Sequence, residues 1–320
     1  MDAHKQGVKL RKLKITPTKQ KLSETQINEN IMNMLKQKTN GHFGALNEDF
    51  LLWSVLENNP PQWWKNLLDD KELYVEIRKD NYANVYYYGG NVALVRWTGG
   101  EIATETHQKY LGESDETATY QDCIKQLLSK DGIEDIKGKI REEYHKLSPK
   151  KEANQRKGVY TSSEKWVQGE LKLCFPNRYI DSEFAYRTGE KELIRFDLVE
   201  LRENKKLVFI ELKLITDPRL RSKEGEPEII EQMTEYCKFI NKHTKELKDY
   251  YSKLLRIKKR TNLWNGETEI EEVSLKPELL IVNTYEKLTK GREERITYME
   301  NLKERTDFDT LIVDYPDLCK

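Results

Sequence analysis

The sequence predicts an α/β protein: a C-terminal mixed central sheet flanked by helices, in the order α-β-β-β-α-β, beside a smaller N-terminal α+β domain. Three observations lead there. IRFDLVEL, LVFIELKLI and PELLIVNTY are nearly continuous apolar runs of strand length, the pattern of strands covered on both faces. TSSEKWVQGELKLCF and EPEIIEQMTEYCKFINKH carry apolar residues at helical spacing around the first of these runs. A polar stretch at 113–158 separates this half from an earlier group of strand-like runs.

In chain order, residues 1–24 form a basic arm, with seven Lys or Arg against one Asp in the first 21. SETQINENIMNMLKQ opens on a Ser23 cap and continues with helical spacing, and QWWKNLLDD after Pro60-Pro61 reads as a short helix. LYVEIRKD, ANVYYYGGNVALVRWTG and EIATETHQKYL read as strands, with Gly89-Gly90 marking a turn. These segments make an α+β domain over 25–112, followed at 113–158 by a helical connector and a loop ending in HKLSPKKEANQRKG. The second domain, 159–320, runs helix TSSEKWVQGELKLCF, strand YIDSEFAYRTG, the strands IRFDLVEL and LVFIELKLI, helix EPEIIEQMTEYCKFINKH, strand PELLIVNTY and a last strand, DTLIVDY.

A chain of 320 residues that is 37% hydrophobic and 10% aromatic can build two cores. Its 55 Lys and Arg balance 55 Asp and Glu, so no global field draws in a polyanion, and nucleic-acid contact must come from local patches. The arm is one such patch, and KLLRIKKR at 253–260, with five cationic residues, is another. Cysteines 123, 174, 237 and 319 show neither CxxC spacing nor neighbouring histidines, which argues for neither a zinc site nor a disulfide scaffold. Five scattered histidines give no local support for a Ser/His or Cys/His pair. With no apolar leader segment and no run of about 18 apolar residues, the expectation is a cytoplasmic protein without membrane contact.

Chemistry enters at LVFIELKLI, where Glu211 and Lys213 interrupt an otherwise apolar strand. Side-chain alternation puts Phe209, Glu211 and Lys213 on one face and Val208, Ile210, Leu212 and Leu214 on the other. An internal ion pair, or a strand end emerging into solvent, is the plain explanation, and Glu-Leu-Lys alone decides nothing because it also occurs at 170–172 and 246–248. Context separates this copy. RENKK between the two strands suits a hairpin turn; centred on Asn204, it places Asp197 opposite Glu211, roughly 5 Å away. Two carboxylates so placed repel each other, and a divalent cation, Mg²⁺ or Mn²⁺, is the simplest remedy. Lys213, one pleat along, would help activate a water and stabilise charge on a phosphoryl oxygen.

Asp197 followed, after 13 residues, by Glu211-Leu-Lys213 on an adjacent strand resembles the PD-(D/E)xK nuclease superfamily over about residues 160–285. The resemblance implies a metal-dependent nuclease, with Asp197, Glu211 and an upstream helical acid holding Mg²⁺ or Mn²⁺. Glu164 fits that acid's spacing better than Glu170, although Thr161-Ser-Ser-Glu164 also reads as a capping box. Gln232-x-x-x-Tyr236, one helical turn apart, resembles the QxxxY element of the RecB-like branch, which supports the site and contacts nucleic acid. Phe196 stands where the motif has proline, a departure shared by many members. Beyond the metal site, Arg219, Arg221 and Lys223 could contact phosphates, and Trp264 with the preceding basic stretch could form a flap over the substrate. The expected substrate is DNA, in restriction, anti-phage defence or repair. A catalytically inactive nucleic-acid-binding or assembly module on the same fold, or an RNA-cleaving nuclease, is the alternative, and oligomeric state and protein partners stay open.

Overall fold

Two β-sheets organise the chain in a computed structural model that describes Phe43 and residues 45–112, 119–146, 158–161, 163–187, 193–222 and 224–320. The basic arm, the helix expected after Ser23 and Lys223 lie outside the described residues. The first sheet is an antiparallel meander of β1 (Tyr74–Arg78), β2 (Tyr82–Tyr87), β3 (Gly90–Thr98), β4 (Glu101–His107) and β5 (Tyr120–Asp122). Its expected glycine turn sits one residue earlier than the reading placed it. Tyr88 and Gly89 form the loop, with φ of 45° and 85°, the left-handed pair whose twist suits a two-residue hairpin.

Helices α1 (Leu51–Asn58), α2 (Gln62–Asp69), α3 (Ile124–Leu127) and α4 (Lys130–Glu143) cover this meander. Trp53, Trp64 and Leu67 are buried with Val85, Val92 and Ala93, and so are Ile133, Ile136 and Ile140 of α4. The helical part of the expected connector is therefore a layer of the first sheet's core.

The second sheet has the order β11-β10-β8-β7-β6, built from β6 (Tyr179–Arg187), β7 (Leu193–Leu201), β8 (Lys206–Leu214), β10 (Glu278–Asn283) and β11 (Asp309–Asp314). A two-residue β9 (Glu272–Val273) pairs with the start of β8. β6, β7 and β8 are antiparallel, whereas β10 and β11 run parallel to β8. The parallel steps need crossovers, supplied by α6 (Glu228–Lys242) with α7 (Thr244–Arg260), and by α8 (Lys290–Glu300). α5 (Glu164–Cys174) precedes β6. Val208, Ile210, Leu212 and Leu214 pack with Val167 and Leu171 of α5, and Leu207 and Phe209 join the larger core with Tyr236 and Tyr251. That larger core continues into the first sheet.

α7 absorbs the basic run at 253–260. Arg256 lies 2.6 Å from Glu48, Arg260 lies 2.8 Å from Glu57 on α1, and Lys258 is buried, so these three cations fasten α7 to the N-terminal half. Trp264 is buried and its indole N–H donates to the Glu267 carbonyl at 2.7 Å, so it is core and not the flap expected from its position.

A deeper connection joins the halves. Glu76 of β1, fully buried, lies 2.8 Å from both Lys172 of α5 and Lys258 of α7, and accepts from the Ser182 hydroxyl at 3.0 Å. Two residues along, Arg78 lies 3.0 Å from Asp181 of β6, which also accepts from the Tyr251 hydroxyl at 3.1 Å. Charges this deep are tolerated because each has an opposite charge and further hydrogen bonds.

The cysteine reading needs correction. Cys174, closing α5, forms a disulfide with Cys319, 145 residues away, while Cys123 and Cys237 are free. Spacing along the chain carries no trace of a pair so distant, and the cytoplasmic expectation loses the support it drew from unpaired cysteines. No helix among the described residues is long and apolar enough to cross a membrane.

Gly169 sets how closely α5 meets the first sheet: a β-carbon there would lie 2.7 Å from the Tyr88 Cα. Gly169→Ala is expected to lower stability by about 1–3 kcal/mol, because backbone cannot yield as a flexible side-chain end can. Gly138→Ala, on α4 with nothing within 4 Å, should instead raise it by about 0.5–1 kcal/mol. Denaturant melts of the two variants check the contrast, and equal effects would refute it.

Candidate active site

The β7–β8 hairpin has the register read from its turn. Leu198 pairs with Ile210 and Val199 with Phe209, so paired numbers sum to 408. The regular ladder stops at Leu198, one residue short of Asp197. There the alternation breaks: Leu198 packs in the core with Ile210, and Phe196, two residues away, packs in the opposite one with Phe184 and Phe209. The neighbouring strand turns at the same level, where Glu183 adopts φ of 57° between the pairs Ser182–Leu198 and Phe184–Phe196. The Asp197 carboxylate replaces the lost ladder bond by accepting from the Leu212 N–H at 2.9 Å.

This break brings the expected residues together. Lys213 pairs with Glu211 and lies 3.7 Å from Asp197. Glu211 also accepts from the Gln232 side-chain amide at 2.8 Å and lies 3.3 Å from the Tyr236 hydroxyl. Tyr236 accepts from Gln232 at 2.8 Å and donates to the Arg195 carbonyl, so one turn of α6 clamps both β7 and β8. Glu211 and Lys213 are almost wholly buried, at 3% and 2% exposure, whereas the Asp197 side chain keeps 18%. Solvent therefore reaches the cluster from the Asp197 side.

The capping box over 161–164 does not form. Ser163 is the cap, accepting from the Trp166 N–H at 3.2 Å, which puts Glu164 at the first helical position and not the third. Glu164 thereby faces the cluster, where its carboxyl feels Lys213, Asp197 and Asp217. Glu170 points elsewhere and accepts from Tyr315 at 2.9 Å.

Asp217 is a site residue that the sequence does not single out, since TDPRLRSKEGEPE draws attention only through its cations. Its carboxylate holds Arg219 through two contacts, at 3.1 and 2.8 Å, so Arg219 is engaged within the cluster's rim. Arg221 is exposed and has no side-chain partner among the described residues. The signal that could have found Asp217 is its place directly after the strand that carries Glu211 and Lys213.

Electrostatically the cluster is short of positive charge. Glu211 is pushed up to about 7, first by burial and then by Asp197, against the pull of Lys213 and Gln232. Glu164 rises to about 7 through burial, Asp197 and Asp217. Burial works against the Lys213 ammonium, yet Glu211, Asp197 and Glu164 together hold it above the usual lysine range. Oxygen donors in surplus suit a hard divalent cation. Among the described residues, however, no three acidic, His or Cys groups form a ready-made metal cage. The carboxylates are gathered around Lys213, so in the chain by itself the ion pair forms and Glu211 already has its partner. No family model, curated protein or solved structure matches the chain.

Proposed function

We propose that the protein is a divalent-metal-dependent nuclease of the PD-(D/E)xK type that hydrolyses phosphodiester bonds of DNA, in restriction, anti-phage defence or repair. One observation carries this reading. Asp197, Glu211 and Lys213 meet where the β7–β8 ladder breaks, and Glu211 is held by Gln232 and Tyr236. A structural ion pair needs no such clamp on the carboxylate and no partly open side.

Asp197, Glu211 and Glu164 would hold the cation, and the two raised carboxyl groups would ionise fully beside it. When bound, the ion supplies a Lewis acid for a phosphoryl oxygen and lowers the pKa of the attacking water. Gln232 and Tyr236 fix the orientation of Glu211. Lys213, released from Glu211, places its ammonium where charge grows on the phosphoryl oxygen. Asp217 orients Arg219, whose half-exposed guanidinium offers its remaining edge to the backbone of the nucleic acid.

The absence of a ready-made cage among the described residues favours a second reading, a nucleic-acid-binding module in which Lys213 stays closed on Glu211. Plasmid, linear duplex, single-stranded DNA and RNA, each incubated with Mg²⁺ or Mn²⁺ and with EDTA, separate the two. Cleavage that EDTA abolishes is expected. Tight binding with no cleavage of any substrate would sink the nuclease reading in favour of the module.

A further inference from the structure

A cavity of about 240 Å³ opens between the first sheet and strands β6 and β7, lined among others by Tyr82, Tyr86, Glu183, Phe184, Arg195 and Tyr250. Most of its polar groups are already matched. Arg78 is held by Asp181, Glu183 by Lys165, and Asn84 by Tyr86 and Asn91. Three polar ends are not: the exposed Arg195 guanidinium and the hydroxyls of Tyr82 and Tyr250 make no hydrogen bond with any described residue. Tyr250 is only 3% exposed as a residue, and its hydroxyl, without a partner among the described residues, opens onto the cavity. The cavity thus offers aromatic walls, two hydroxyls and the guanidinium of Arg195, which makes no ion pair with a described residue although the Glu183 carboxylate feels its charge.

That combination selects its ligand. A free phosphate would meet a single unpaired cation, and an apolar molecule would leave the hydroxyls unmatched. A nucleotide answers all of it, with a base against the tyrosine rings, base edges for the hydroxyls and one phosphate for Arg195. Location agrees with this. Arg195 precedes Asp197 by two residues, roughly 7 Å along a strand, and pairs with Ala185 of β6, which also lines the cavity.

We propose that this cavity seats one unstacked nucleotide of a single strand, so that the adjoining phosphodiester lies at Asp197. Placement of the scissile bond rests on the nuclease reading; binding of the nucleotide does not. A base within a duplex is stacked and paired and cannot enter, so single strands, or duplex ends that fray, are the preferred substrate.

Fluorescence anisotropy in EDTA, where cleavage is not expected, tests binding by itself. A short labelled single strand should bind more tightly than the same sequence as a duplex. Arg195→Ala and Tyr82→Ala should each weaken single-strand binding about tenfold, within the range for a lost stacking contact. Tyr250→Phe, which keeps the ring, should weaken it about 2- to 10-fold. All three should leave duplex binding nearly unchanged, with melting temperatures reported beside each. Unchanged single-strand affinity in Arg195→Ala and Tyr250→Phe would overturn the proposal, even if the protein cleaves DNA in Mg²⁺. Weakened binding in these variants of a protein that cleaves nothing would uphold the cavity and remove the nuclease reading.

Discussion

Glu76→Gln is expected to destabilise the protein by about 3–5 kcal/mol, the range for removing one partner from a buried ion pair. Glutamine keeps the shape of the side chain and can still accept from Ser182, but it takes from Lys172 and Lys258 the anion that each pairs with directly, leaving Asp181, already held by Arg78, as the nearest carboxylate they feel. Both lysines are largely buried, at 5% and 3% exposure, so water compensates them poorly. Acid titration adds a second signature. Burial would raise the Glu76 carboxyl, but Lys172, Lys258 and Arg78 hold it down to about 2, below its ordinary 4.5. A carboxylate lowered by folding contributes fully above about 4.5, and that contribution fades as the pH falls toward 2. Urea melts across this window should show the gap between the wild type and Glu76→Gln narrowing as the pH falls. A gap below about 1 kcal/mol at neutral pH would mean that the network is not the fastening it looks to be.

Asp197→Asn should reduce metal-dependent cleavage by at least about a hundredfold, the scale seen when one electrostatic group is removed from a reacting centre. Asparagine is isosteric and its amide oxygen can still accept from the Leu212 N–H, so the strand break should persist and the melting temperature should move little. Lys213→Ala should lose as much activity but also stability, because Glu211, 3% exposed, then lacks its cation. Comparing the two variants by single-turnover cleavage and by thermal melts separates chemistry from folding. Asp197→Asn with near wild-type cleavage would remove Asp197 from the site.

Much of the second sheet was legible because its signals are local. The turn around Asn204 set the hairpin register, and alternation along 207–214 set its faces, as the pairs Leu198–Ile210 and Val199–Phe209 bear out. Gln232 and Tyr236 were readable together because one helical turn separates them. The break at Asp197 was not readable. Strict alternation continues the ladder, whereas the chain swaps faces there, helped by the left-handed Glu183 on the neighbouring strand. Glu164 was ambiguous for a similar reason, since one sequence supports a cap at Thr161 or at Ser163 and only packing chooses. Long-range pairs, such as Glu76 with Lys258 or Cys174 with Cys319, leave no mark in sequence spacing.

The Glu76 network also bears on how this protein can change over evolutionary time. A self-contained unit can be shuffled between genes and keep its shape. Here an anion on the first sheet neutralises cations on two helices of the second half, and Arg78 does the converse for Asp181. Exchange of the N-terminal half for an unrelated one would strand two ammonium groups and a carboxylate in the interior. The two halves are therefore expected to be inherited as a pair, and diversity should collect in loops and at the solvent face of α4 before it reaches their junction.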